Sequence, residues 1–320
     1  MEVELKKLTN QESMRRMGAQ LRATSKKGKK GLATKTETGP PDDPVMVEDK
    51  EGLEFASAGE NQSRFTERLK VNEFMTDPIL REDIGVLCEG PAVDPILNGT
   101  YQPPSHLSWP STKVLEFMEM PPVIQRNPMG QPKLSLEAHK QGWRKAKEHT
   151  SSDPRNPDFS HYISASYDDI LADMGRLLRE VPLQYGFAPD EWNPMADCSI
   201  PKKEDVLRIE KMRTICLMDS QYNMNNKWYG REFMTHNETL GTIPEEQSGS
   251  RKGHRADEVA LKKVLAMDLL RQFRRAGFLC SNDAIQCYDR IVHNVAVLSM
   301  LRLGADKKAL QSLFGQLQQA

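Results

Sequence analysis

The sequence predicts an α-rich α+β protein preceded by a disordered N-terminal arm. Three observations carry that prediction. Apolar residues recur at helical spacing over 167–181, where Ile170, Leu171, Met174, Leu177, Leu178 and Val181 share one face of a helix. Two short apolar pieces, "SIPKK" and "MRTICLM", flank a charged turn within 198–220 and read as an antiparallel hairpin. Residues 23–60 follow neither period. They are rich in Gly, Pro, Thr and charge, and such composition buries too little apolar surface to offset the entropy of ordering.

In chain order, residues 1–60 are expected as a basic, mostly disordered arm, with ten Lys or Arg in the first 35 positions and the cluster "KKGKK" at 26–30. Residues 61–195 read as a helical extension. It opens with a short helix in "NQSRFTERLK", with Asn61 or Ser63 as candidate cap. The proline-rich stretch 76–135 reads as turns and short helices, and a helix lies within 134–150. The amphipathic helix at 167–181 should be capped by Ser166 and stopped by Pro182. Residues 196–276 carry the hairpin, a long helix over about 224–240 and a further helix near 256–275. That last helix should turn Leu261, Val264, Leu265, Leu269 and Phe273 inward and end at Gly277. Within 277–320, "FLCSND" reads as a strand, and 288–303 as the last strong helix with Gly304 as its C-cap.

Composition excludes several classes. The 320-residue chain balances 44 basic against 45 acidic residues, and its mean hydropathy of −0.63 is polar for a fully packed protein. Cys88, Cys198, Cys216, Cys280 and Cys287 include no CxxC pair, which argues against a disulfide framework or a zinc site. The seven histidines show no HxxxH or HxH spacing, so a metalloenzyme or protease has little support. No apolar run approaches the roughly 18 residues of a membrane span, so a soluble intracellular protein is expected. Charge is nevertheless local: residues 251–275 hold eight bases against three acids. That pattern suits either a polyanion-facing surface or a solvated helix face.

Asp283 raises the sharpest chemical question. A carboxylate at the end of an apolar strand can reach a cleft while its backbone stays anchored, although an acid there, taken alone, is more often the N-cap of the next helix. Around it, "DAIQCYDRI" resembles motif A of reverse transcriptases of the non-LTR, LINE-like kind. That resemblance implies Asp283 as the catalytic aspartate that binds Mg2+ (or Mn2+), and Tyr288 under the sugar of the incoming dNTP. Upstream, "IPKKEDVLRIEKMRTICL" resembles the fingers hairpin of the same family. There Lys202 or Lys203 would supply a mobile point charge to the triphosphate, and Arg213 a planar fork. "YNMNNKWYGREF" is similar to the helix that follows. "EEQSGSRKGHRADEVALKK" is similar to the family's Q-x-G-x-R stretch, where Gln247, Gly249 and Arg251 would build a loop against template or nucleotide.

The resemblance extends, less specifically, over most of 55–304. It implies right-hand polymerase fingers over 196–276 and the first strand and helix of a palm over 277–320. The implied partners are an RNA template, a DNA primer and dNTPs. The palm is incomplete: 31 residues follow Asp289, and neither the Gly-containing motif B nor the Y-x-D-D turn of these enzymes is among them. "SYDDI" at 166–170 lies upstream of motif A and opens a helix, where Asp168 and Asp169 favour the helix dipole. Nucleotidyl transfer uses two metals about 3.5–4 Å apart, held by carboxylates from more than one palm strand. The expectation is therefore a reverse-transcriptase fragment that is catalytically incomplete unless a partner chain supplies the rest of the palm. The alternative is a non-catalytic nucleic-acid-binding or protein-interaction module derived from a retroelement.

Overall fold

Helices build most of the molecule, and short polar side chains set where many of them begin. The computed structural model describes residues 36–38, 40, 44–69, 72–150, 152–153, 155–193, 195–202, 207–278, 280 and 291–319. Two strands, β1 (Thr36–Thr38) and β2 (Val45–Val47), pair antiparallel with Thr36 opposite Val47. Helix α1 (Lys50–Leu69) follows, its first turn capped by the Asp49 carboxylate, which accepts from the Gly52 N–H at 2.7 Å. Residues 36–60 thus hold ordered elements where the composition predicted an arm. The helix in "NQSRFTERLK" is the second half of α1 and starts on Asp49, not on Asn61 or Ser63.

The proline-rich stretch forms the expected short helices: α2 (Glu73–Thr76), α3 (Pro78–Ile84), α4 (Val93–Leu97), α5 (Trp109–Phe117) and α6 (Pro122–Arg126). Pro78, Pro110 and Pro122 sit in first turns, where a missing N–H costs nothing. Helix α7 (Leu136–Arg144) is capped by Ser135, and α8 (Phe159–Ala165) by Asp158.

Helix α9 (Asp169–Tyr185) reverses the expected burial. Ile170, Leu171, Met174, Leu178 and Val181 are exposed, Ile170 by 73% and Leu178 by 60%. The face turned to the protein carries Ala172, Arg179, Glu180 and Leu183. Close packing explains it. The Cβ that Gly175 lacks would sit 3.3 Å from His139 Nε2 of α7, so the two helices approach closely at this turn and leave no room there for a larger side chain. The N-cap is Asp168, whose Oδ1 accepts from the N–H groups of Ile170 and Leu171, both at 2.9 Å. Ser166, the expected cap, instead donates to the Ile163 carbonyl at 2.7 Å and closes α8. Pro182 does not stop the helix, which runs on to Tyr185 and ends at Gly186 in the left-handed region (φ +80°).

The predicted hairpin forms. Strands β3 (Ala196–Pro201) and β4 (Met212–Leu217) pair antiparallel, and the strands described make two separate two-stranded sheets. Helix α10 (Ser220–Thr239) starts before the predicted 224, on Asp219, which accepts from Gln221 and Tyr222 N–H groups at 2.7 and 3.0 Å. Helix α11 (Ala256–Gln272) buries none of its described side chains. Leu261, Val264, Leu265, Leu269 and Phe273, expected inward, are all more than half exposed. It ends through Arg274 at φ +50°, not at Gly277.

Of the expected strand "FLCSND", Phe278 and Cys280 are described and lie in no strand, and Phe278 is 93% exposed. Helix α12 (His293–Arg302) ends at Gly304 as expected (φ +85°), whose N–H reaches the Leu301 carbonyl at 2.8 Å. A further helix, α13 (Lys307–Gln319), had not been anticipated. The main core joins Leu80, Ile84 and Ile96 of α3 and α4 to Tyr222 and Tyr229 of α10, Leu298 of α12 and Leu310 of α13.

Candidate nucleic-acid interface

The β3–β4 hairpin is the best-formed of the predicted site elements. Side chains alternate faces along a strand, so the register decides which of them meet. Ile200 pairs with Arg213, and the Lys202 N–H continues the ladder to the Lys211 carbonyl at 3.4 Å. Lys202 follows β3 directly, Lys211 ends the 3-10 turn Ile209–Lys211 that leads into β4, and Arg213 lies in β4, so all three gather at one end of the hairpin, and all three are exposed. No ion pair among the described residues holds any of them.

The opposite face is anchored. Met212 is 2% exposed, with Thr36 Oγ1 4.0 Å from its sulfur and donating to the Leu207 carbonyl at 2.7 Å. The Glu37 N–H bonds the same carbonyl at 2.9 Å, and Asn61 of α1 donates to Asp197 of β3 at 3.3 Å. One face is held by β1, while the end of the hairpin presents three exposed cations that form no ion pair among the described residues. Lysines and an arginine on a fixed platform suit phosphate: the first as hydrated point charges, the second as a bidentate fork. Lys211 was not among the predicted residues. Its register opposite Lys202 is the signal, and it becomes visible only once the hairpin turn is aligned.

The second predicted group converges differently. Gln247, Gly249 and Arg251 lie in one loop after α10, where Gln247 Nε2 donates to the Gly249 carbonyl at 3.3 Å. The Arg251 fork is used within the protein. It binds Glu238 of α10 through two bonds of 2.6 and 2.8 Å and the carbonyls of Pro244 and Gln247 at 2.9 and 3.0 Å. Arg251 holds the Glu238 carboxyl below its ordinary range, and Glu238 in turn raises the guanidinium. The residue closes the loop, while the Arg255 side chain beyond it pairs with Asp257 at 3.0 Å and stays 75% exposed.

Lys203, Asp283 and Tyr288 lie outside the described residues. Among the described residues no three His, Cys, Asp or Glu side chains converge as a metal site. Nor is any described helix long and apolar enough to cross a membrane.

A buried cation went unnoticed in the sequence. Arg179 of α9 is 1% exposed and forms no ion pair with a carboxylate among the described residues. Its Nε donates to Asn225 Oδ1 at 2.8 Å, one terminal nitrogen to the Met224 carbonyl at 3.2 Å, and the other to His139 Nδ1 at 3.2 Å. The fork also lies 5.6 Å over the Trp143 ring. Because guanidinium only donates, His139 Nδ1 must carry the lone pair and Nε2 the proton. Burial, then the Arg179 charge, pulls the His139 pKa down to about 4, and burial lowers Arg179 to about 9. This cluster joins α7, α9 and α10 and lies away from solvent. Its role is structural.

Set against known protein families and curated proteins, the chain matches none.

Proposed function

We propose that the chain is a nucleic-acid-binding fragment of a retroelement RNA-directed DNA polymerase, with the β3–β4 hairpin acting as its fingers and gripping phosphate. The observation that carries this reading is the cluster of exposed Lys202, Lys211 and Arg213 at one end of the hairpin, none of them in an ion pair among the described residues. It coincides with the segment whose sequence resembles a fingers hairpin. The basic surface around Lys252 and Arg255, after the Arg251-closed loop, would extend the contact along a backbone. Asp283 would bind the catalytic Mg2+ in a complete palm, with Tyr288 under the sugar and Lys203 beside the triphosphate.

The second reading, a binding module without chemistry, rests on the same hairpin and differs only in turnover. Two measurements separate them. Fluorescence anisotropy with a single-stranded RNA should show salt-sensitive binding. Replacing Lys202, Lys211 and Arg213 together with Ala should flatten the slope of log K against log salt by about 2, at roughly 0.7 per phosphate contact. An unchanged slope removes the hairpin from the interface. Primer extension on an RNA template with dNTPs and Mg2+ or Mn2+, lost in Asp283→Ala, supports the polymerase. Binding with no extension from either chain leaves a chain that grips nucleic acid without copying it, as an incomplete palm requires.

A further inference from the structure

We propose that a pocket between α4 and α5 binds an aliphatic primary ammonium, the group that ends a lysine side chain or a free alkylamine. The cavity has a volume of about 130 Å3. Ile96, Tyr101, Pro103 and Leu115 give it apolar walls, and Glu116 and Glu119 bring carboxylates to it. The walls are fixed. Ile96 and Leu115 belong to the main core, and the Tyr101 hydroxyl donates to Asp83 Oδ2 at 2.5 Å. Gly99 completes the lining in the left-handed region (φ +69°), and a Cβ there would stand 2.8 Å from the Glu119 carboxyl carbon. Glycine thus lets that carboxyl lie close against the loop after α4. The pocket shares no residue with the β3–β4 hairpin, so the nucleic-acid reading does not bear on it.

Charge and shape together identify the ligand. Both carboxylates are exposed, and no Lys or Arg lines the cavity. Lys113 pairs with Glu116 one turn along the open surface of α5. The Glu119 carboxylate, by contrast, accepts no hydrogen bond and forms no ion pair among the described residues. It stands just past the C-terminal end of α5, where the helix dipole adds partial negative charge. A cation would balance both, and the apolar walls call for methylenes behind it. Lysine-type chains combine these features, laying the stem on apolar surface and keeping the ammonium at a polar rim. The Tyr101 ring adds attraction wherever the cation meets its face.

Titration of the nitrogen-15-labelled full chain, followed by NMR amide shifts, tests this. The probes are N-acetyl-lysine methylamide, n-butylammonium and, as the neutral match, N-acetyl-norleucine methylamide. The two cations should shift the amides of Gly99, Tyr101 and Glu119 saturably in the millimolar range, and the norleucine derivative should not. Glu119→Gln should weaken cation binding at least about fivefold. Its circular dichroism and Tm should match the wild type, because the Glu119 side chain is exposed. Binding of the lysine derivative without butylammonium supports the site and assigns it to a lysine in a polypeptide. Binding of butylammonium without the lysine derivative supports it and assigns it to a free amine. Absence of saturable shifts with either cation, equal binding of the norleucine derivative, or an affinity indifferent to Glu119→Gln overturns the site.

Discussion

Arg179 shows how a single side chain can organise a junction. Its three hydrogen-bond acceptors come from two different helices, and only a planar fork reaches all of them at once. Arg179→Lys keeps the charge and loses that geometry, so it should destabilise the fold by about 1–3 kcal/mol in urea unfolding. An equally stable lysine variant would mean that buried charge alone holds the site. His139 adds a pH dependence whose sign is fixed by its neutral state. Its pKa is about 4 in the fold, pressed down by burial, Arg179 and Arg176 against the opposing Asp173, and about 6.5 when unfolded. Between those values the unfolded chain binds the extra proton. Stability is complete above pH 6.5 and falls as pH drops towards 4, by up to about 1.4 kcal/mol per unit. His139→Gln keeps an acceptor for Arg179 and should remove this slope. If the variant loses stability over the same window as the wild type, another group carries the titration.

At the scale of elements, caps were more decisive than apolar periods. Asp49, Asp168 and Asp219 start α1, α9 and α10 at positions that the hydrophobic pattern placed later or on another residue. Asp219→Ala should cost about 1–2 kcal/mol, because its buried carboxylate satisfies two N–H groups that nothing else reaches. Thermal unfolding would read this as a lowered Tm, and no change would show that water replaces the cap. Gly304 was legible in advance, since only glycine adopts its φ of +85° without strain. A Cβ there would also stand 2.9 Å from Ile124 Cγ2. Gly304→Ala should therefore cost about 1–2 kcal/mol, and a neutral result would mean that α6 yields. The end of α11 was not legible. Arg274 takes the left-handed position at φ +50° although Gly277 lies three residues on, because the ending follows where the helical bonds run out.

For the whole molecule, the segment after 290 is not an appendage to the helical body. Asn294 of α12 donates to the Phe74 carbonyl at 3.0 Å, and Cys88 donates to the Asn294 carbonyl at 3.2 Å. Helix α13 then lies along α9 and fills the core with Ala309, Leu310 and Leu313. Leu310 is fully buried, so Leu310→Ala should cost about 2–5 kcal/mol. Ending the chain at Gly304 should leave α9, α10 and α12 with an exposed apolar face and abolish cooperative unfolding. A truncated chain that still melts cooperatively would show that the body folds without α13.

Taken by itself, the sequence determined the helix-rich class, the β3–β4 hairpin, the short proline-started helices and the Gly304 terminus. Each of these follows from local chemistry: alternation along a strand, a missing N–H, a permitted left-handed φ. The candidate site was half legible for the same reason. Lys202 and Arg213 sit in a segment whose strand pattern can be read directly, whereas Lys211 joins them through a cross-strand register that adjacent residues do not encode. Only the tertiary structure decided which face of α9 meets the protein, that Arg251 is spent on Glu238, and that Arg179 is buried. An apolar stripe says that a helix face will leave water. It does not say whether the same chain or another molecule covers it, because that depends on which surfaces fit once every element is in place.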